Sequence, residues 1–348
     1  MLNETRSESG PTLVLTKTVT ALVYIAIFLL SEFGNGFVIF SLLVKKKRQH
    51  RYRTAMEDFV LSLATTDFLF TTLSLVNGLE YILDEWKLGM VLCKIHAQLL
   101  ELTYTVSILT LATISYSRCK AANADNPFKL LHDKPKVKRN IALIWFFSFI
   151  FNLPLLYGYT VVTRDGSLHC TNVNFNEVTR QTYYLVQAVL LFVLPITIMI
   201  VSQRLITRSL RSHLRRQTSH ELQRITPSAI AIRAALSERR ITKLLTWVWF
   251  TCACCWSPFI AYRTVDYFTY IRRRGQVWNQ LWHTCQVLVV LNSAINPFLY
   301  HRMTKRGHGV LTRARNAGRW CCLRRDELRQ QVVSVAMGTM STLPSRSQ

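Results

Sequence analysis

The sequence predicts an all-α membrane protein built as a bundle of seven transmembrane helices, and three observations carry that reading. Half of the 348 residues are hydrophobic, and they gather into seven blocks of the roughly 20 residues a helix needs to cross a bilayer. Charged residues make up only 18% of the chain, against about a quarter in a typical soluble domain. The basic excess behind the net charge of +24 falls between the blocks and on one side of them, as expected when Lys and Arg fix membrane orientation. That distribution excludes nucleic acid as the partner of the positive charge.

In chain order the expected spans are Val19–Val44, Met56–Ile82, Val91–Ser115, Ile141–Tyr159, Tyr183–Leu205, Ile241–Val265 and Leu281–Tyr300. Each contains polar residues, so the helices are expected to pack on one another. This divides the chain into an outer N-terminus (1–18), the seven-span domain (19–302), and a membrane-parallel helix with a cytoplasmic tail (303–348). Lys45 to Arg53, Lys120 to Arg139, Arg204 to Arg240 and Arg302 to Arg319 load the first, third and fifth loops and the tail with positive charge. Those segments are therefore inner and the N-terminus is outer. Arg272–Arg274, in the last outer loop, is the exception; it either faces a ligand or forms a solvated turn near headgroups. No apolar stretch precedes Val14, so the first span is expected to serve as its own insertion signal. Asn3-Glu4-Thr5 is a glycosylation sequon.

Cys93 at the start of span three and Cys170 in the second outer loop both face the oxidising side, where a disulfide is expected. Tyr159–Thr171 alternates about Arg164-Asp165-Gly166, which predicts a β-hairpin over the bundle. Cys252, Cys254, Cys255 and Cys285 read as small core residues. Cys321 and Cys322 follow a basic inner stretch; they are either palmitoylated, laying a short amphipathic helix along the membrane from Met303, or unmodified thiols.

An ionisable group inside a span is costly and usually functional. Asp67 is such a group, and Ser107, Asn292 and Asn296 lie at matching depth. Together they suit a small hard cation, with sodium the expected ion; a protonated, hydrogen-bonded Asp67 is the alternative. Pro154, Pro195, Pro258 and Pro297 each remove an intrahelical hydrogen bond, and a bundle kinked in several helices suits a switch better than a scaffold. No internal repeat or continuous polar path supports a transporter or channel. Nor does any nucleophile–base pair or metal-ligand spacing support an enzyme.

The residues resemble the rhodopsin-like (class A) G-protein-coupled receptors along essentially the whole chain. The resemblance rests on Gly34-Asn35 in span one and Leu63-Ala64 with Asp67 in span two. It continues through Trp86-x-Leu88-Gly89 before Cys93, Trp145, Pro195 and Cys255-Trp256-Ser257-Pro258. Span seven completes it with Asn292 to Tyr300. It implies that an outside agonist acts near Trp256 and that span six, kinked at Pro258, swings outward at its inner end, with Pro297 kinking span seven. A heterotrimeric G protein is then admitted, with Arg118 and Tyr300 supporting the open state and Phe128 docking into the G protein. The family's Asp-Arg-Tyr reads Ser117-Arg118-Cys119 here, which leaves Glu238 to restrain Arg118 and implies raised ligand-free signalling. Gln203 and Cys252 replace a Tyr and a Phe of the family pattern.

The same resemblance sorts the ligands. Leu100 stands where amine receptors carry an Asp, and Val290 where opsins carry the retinal Lys. The hairpin and the Trp86 loop resemble those of peptide receptors, the neuropeptide receptors above all. The expected pocket contains Asn77, Glu80, Gln98, Glu101, Arg263, Asp266, Trp282 and Gln286 above Trp256, and mixed charges with amides suit a peptide end. Glu101 and Arg263 either pair with each other or leave Arg263 free for a small anionic, lipid or nucleotide ligand. The Ser/Thr-rich inner loop 209–237 and tail are expected to take receptor kinases and an arrestin.

Overall fold

The computed structural model describes residues 10–48, 55–122, 134–164, 166–221, 229–268, 278 and 280–299. Within them the helices are α1 (Gly10–Arg48), α2 (Ala55–Leu83), α3 (Gly89–Ala122) and α4 (Lys134–Asn152, continued by the short Pro154–Gly158). Next comes α5, formed by Glu177–Ala188, a π-helical turn Val189–Val193 and Leu194–Glu221. Helix α6 is Ala229–Phe268, and α7 occupies 280–299. Five are long and apolar enough to cross a bilayer, over Val14–Val44, Ala55–Leu83, Gly89–Ala121, Pro135–Gly158 and Glu177–Ser209.

The helices overrun the apolar blocks because helix and hydrocarbon need not end together. Helix α1 starts at Gly10, not near Val19; Lys17 interrupts the apolar run but keeps helical geometry and pairs with Asp84 at the top of α2. On α1, Phe33, Phe37 and Phe40 are 76%, 60% and 64% exposed in the bare chain. That is the surface a lipid-facing helix presents. Helix α3 runs through the middle, packed on α2, α4 and α5, and the core gathers around its Tyr104, Ile108 and Leu111 with Leu63, Leu191, Met199 and Trp256. Cys252, Cys255 and Cys285 are buried as expected, but Cys254 is exposed; the helical turn carries it to the outside of α6.

The prolines define how the helices join. A proline frees the carbonyl four residues before it, and three of those oxygens find a partner. Pro297 frees Ser293 O, which accepts from Asn35 Nδ2 of α1 at 3.2 Å. Pro195 frees Leu191 O, in the π-helical turn, which accepts from the Tyr104 hydroxyl of α3 at 3.1 Å. Pro154 frees Ile150 O, which accepts from Leu153 N at 3.2 Å in a tightened turn. Gly34 makes the first junction sterically feasible, since a Cβ there would sit 2.9 Å from Pro297 Cγ.

The hairpin forms as the alternation predicts. Strands β1 (Thr160–Arg164) and β2 (Ser167–Thr171) pair antiparallel, with Arg164 opposite Ser167, and Gly166 has φ +84° in the turn, a conformation open to glycine at little cost.

Candidate ligand pocket and transmembrane switch

The hairpin is fixed over one end of the bundle by three ties. Cys170 of β2 is disulfide-bonded to Cys93 of α3. Leu168 O accepts from the Trp86 backbone N–H at 2.7 Å, and the Cys170 N–H donates to Glu80 of α2 at 3.2 Å. Trp86 is 2% exposed and its indole donates to Gly89 O at 2.9 Å, so the loop joining α2 to α3 is itself anchored. Beneath the hairpin lies a cavity of about 590 Å³.

Most of the expected pocket residues line that cavity: Asn77, Glu80, Glu101, Arg263, Asp266, Trp282 and Gln286. Gln98 does not. It is 3% exposed and its amide donates to Phe149 O of α4 at 3.1 Å, so it joins two helices. Trp256 lies lower, lining a cavity of about 40 Å³ together with Tyr104, Glu101 and Gln286.

Arg263 is paired. Its Nη1 donates to Glu101 Oε1 at 2.8 Å and its Nη2 to Gln187 Oε1 at 2.9 Å, while Gln187 Nε2 donates to Glu101 Oε2 at 2.6 Å. The result is a closed triangle of α3, α5 and α6. Charges are tolerated at this depth only when paired and hydrogen-bonded, and the triangle satisfies both. The guanidinium also lies over the Tyr184 and Phe259 rings, at 4.7 and 5.0 Å. Above it, Tyr184 stacks on Tyr267 at 4.7 Å, and Asn172, just past β2, donates to both phenol oxygens at 2.9 and 2.8 Å. Burial pushes the nearby Tyr159 phenol above its usual range, so it stays neutral. Gln187, Asn172 and the tyrosines escaped the sequence reading. Gln187, a lone amide in an apolar span, was the one with a signal.

Below the triangle, Tyr104 stacks on Trp256 with ring centres 3.9 Å apart. The same Tyr104 hydroxyl holds the π-helical turn of α5, so one side chain links α5 to Trp256 of α6, two residues before Pro258. Deeper still, Asp67 accepts from Ser107 at 3.3 Å, Ser293 at 3.1 Å and Asn296 at 2.8 Å. Ser293 takes the place expected for Asn292, because one residue along a helix is a turn of about 100°. Asn292 Oδ1 is nevertheless buried and, among the described residues, has no hydrogen-bond partner.

At the far end Arg118 is half-buried on α3. Gln203, where the family pattern has a Tyr, donates to Thr246 of α6 at 2.6 Å, and Cys252 is 1% exposed. Phe128, Tyr300, Cys321, Cys322, Asn3 and Arg272–Arg274 lie outside the described residues, as does the side chain of Glu238.

Comparison with known proteins agrees with this geometry. Residues 34–300 match the family model for the 7 transmembrane receptor (rhodopsin family). Apelin receptor A of Danio rerio is 27% identical over 301 residues, covering 80% of this chain and 76% of the relative. The chain is a multi-pass membrane protein and a receptor, not an enzyme: it belongs to the rhodopsin family of seven-transmembrane, G-protein-coupled receptors.

Proposed function

We propose that the chain is a plasma-membrane receptor, N-terminus outside, whose agonist is an extracellular peptide. The observation that carries the proposal is the polar cavity of about 590 Å³ beneath a disulfide-tethered hairpin. It is open enough for a peptide end and lined by donors and acceptors on several helices. The likeness to an apelin receptor, a receptor for a peptide, supports the same reading. The competing anionic-ligand reading loses its main support, because Glu101 already neutralises Arg263.

The mechanism is a population shift between two packings. An agonist that binds the rearranged triangle more tightly than the closed one releases α6 from α3 and α5. Trp256 then rolls against Tyr104, the Pro258 kink lets the inner half of α6 swing outward, and a heterotrimeric G protein enters beside Arg118. Phe128 and Tyr300 contact and support that open state, Glu238 opposes it by restraining Arg118, and Pro297 supplies the kink in α7. Kinases and an arrestin acting on the inner loop and tail end the signal. Asn3 carries the glycan, and Cys321 and Cys322 the lipid that lays the segment from Met303 along the inner leaflet.

In the closed packing Asp67, Ser107, Ser293 and the unpartnered Asn292 oxygen form an oxygen-rich set that fits a small hard cation such as sodium, with Asn296 holding the carboxylate. Asp67→Asn should then abolish any effect of sodium on agonist affinity; undiminished sodium dependence would remove the site.

A calcium and cyclic-AMP screen of the expressed receptor against a peptide library tests the proposal. A peptide agonist whose response is lost on trimming Thr163–Ser167, but spared by Gln98→Leu, is the expected result. Activation only by small acids, lipids or nucleotides would refute it.

A further inference from the structure

The charges around the cavity do not cancel evenly. Its cations are accounted for: Arg263 is held by Glu101. Arg180 lies 3.8 Å from Glu177 and over the Tyr267 ring, and Arg164 stands exposed at the hairpin tip, where water screens it. Among the acids, Glu101 and Asp84 have cationic partners, Arg263 and Lys17. Glu80 and Asp266 have none among the described residues. Among the described residues, Glu80 accepts the neutral Cys170 N–H at 3.2 Å and Asp266 accepts the neutral Trp278 indole N–H at 2.9 Å. Each uses one oxygen, and both residues line the cavity and are half-buried. Among the described residues, two inward carboxylates of the cavity therefore lack a counter-cation.

A second, independent feature sits beside Asp266. Trp278 stacks on Tyr262 at 4.3 Å, Tyr262 meets Trp282 at 5.3 Å, and Trp282 meets Phe259 at 5.0 Å. This aromatic wall joins α6 to α7. The bond from Trp278 to Asp266 fixes the carboxylate at its edge. Carboxylate plus aromatic faces is a combination that attracts a desolvated cation through both charge and ring quadrupoles; an anion would be repelled by both.

We infer that the agonist is cationic: a guanidinium or ammonium group of the ligand seats against Asp266 and the Tyr262–Trp278–Trp282 wall, and Glu80, on α2, takes a second donor. This deepens the peptide reading and rests on the same cavity. The ligand class becomes a basic peptide, and a free amine or guanidine shares its chemistry at this one subsite.

The test uses the full-length receptor purified in detergent. Thermal unfolding is followed with N-acetyl-arginine methylamide, its glutamate counterpart and its leucine counterpart at matched ionic strength. The arginine probe should raise the Tm and the other two should not. Asp266→Asn and Glu80→Gln each keep one carbonyl oxygen to accept the bond described, so each should leave the unliganded Tm unchanged. They should weaken the arginine probe by about tenfold to a hundredfold, the value of a charge-assisted hydrogen bond. Stabilisation by the glutamate probe, by none of the probes, or by arginine undiminished in Asp266→Asn would overturn the inference.

Sorting the peptide library by charge separates this from the parent reading. Activation by acidic or neutral peptides alone would leave a peptide receptor with no cationic preference. Arginine bound through Asp266 with no active peptide would leave the subsite and remove the peptide.

Discussion

The two ends of the bundle are held together differently. At the hairpin end α5 and α6 are cross-tied by the Glu101–Gln187–Arg263 triangle, by the Tyr184–Tyr267 stack and by Asn172, which donates to both phenols. At the far end, among the residues whose side chains are described, Gln203 of α5 donates to Thr246 of α6. The pivot Trp256–Pro258 lies between these ends. Under the proposed mechanism the upper ties are what an agonist rearranges, and the inner half of α6 is what moves to admit a G protein.

The largest effect should come from breaking the upper tie on one side only. Arg263→Ala leaves Glu101 buried with Gln187 alone, and orphaning one member of a buried ion pair costs about 3–5 kcal/mol. The expected outcome is a lower Tm in detergent and reduced surface display. The double variant Glu101→Gln with Arg263→Gln removes both charges and should recover most of that loss. A double variant no better than the single would mean that the charges themselves are not what holds the upper end.

The lower tie should matter less. Gln203→Leu removes a neutral hydrogen bond worth about 1 kcal/mol, enough to shift a two-state ratio by about fivefold. Ligand-free G-protein activation, read by energy transfer between the receptor and a labelled G protein, should rise accordingly. An unchanged baseline would show that the Gln203 bond persists in the open packing.

The smallest effect is expected at Arg118, where Ser117 replaces the family's acid. Ser117→Asp restores a partly exposed ion pair of at most about 1 kcal/mol and should lower ligand-free signalling a fewfold. No fall would refute the raised ligand-free signalling that the missing acid implies.

These ties also mark where the sequence could and could not be read. Seven spans were legible because lipid imposes a length and a composition on each helix, and Asp165-Gly166 marked the hairpin because a turn position at positive φ favours glycine over residues with a Cβ. The pocket was legible in its charged members, which are rare inside a membrane: Glu80, Glu101, Arg263 and Asp266. Facing was not. Gln98 and Asn292 were placed by depth, and a helix turns a neighbouring residue through about 100°; so Gln98 joins α4 and Ser293 reaches Asp67. Gln187 and Asn172 act only through partners far along the chain, and no local pattern encodes such a meeting.

The freed carbonyls at Leu191 and Ser293 carry a longer consequence. In each case a proline creates a vacancy on its own helix, and a polar group of another helix has come to depend on it. Replacing Pro195 by alanine would do more than straighten α5: the restored amide would compete for the oxygen Tyr104 uses, detaching the ring that braces Trp256. The same holds for Pro297 and Asn35. Proline and donor work as couples, and replacing either member alone would loosen a joint between helices that neither residue could hold by itself.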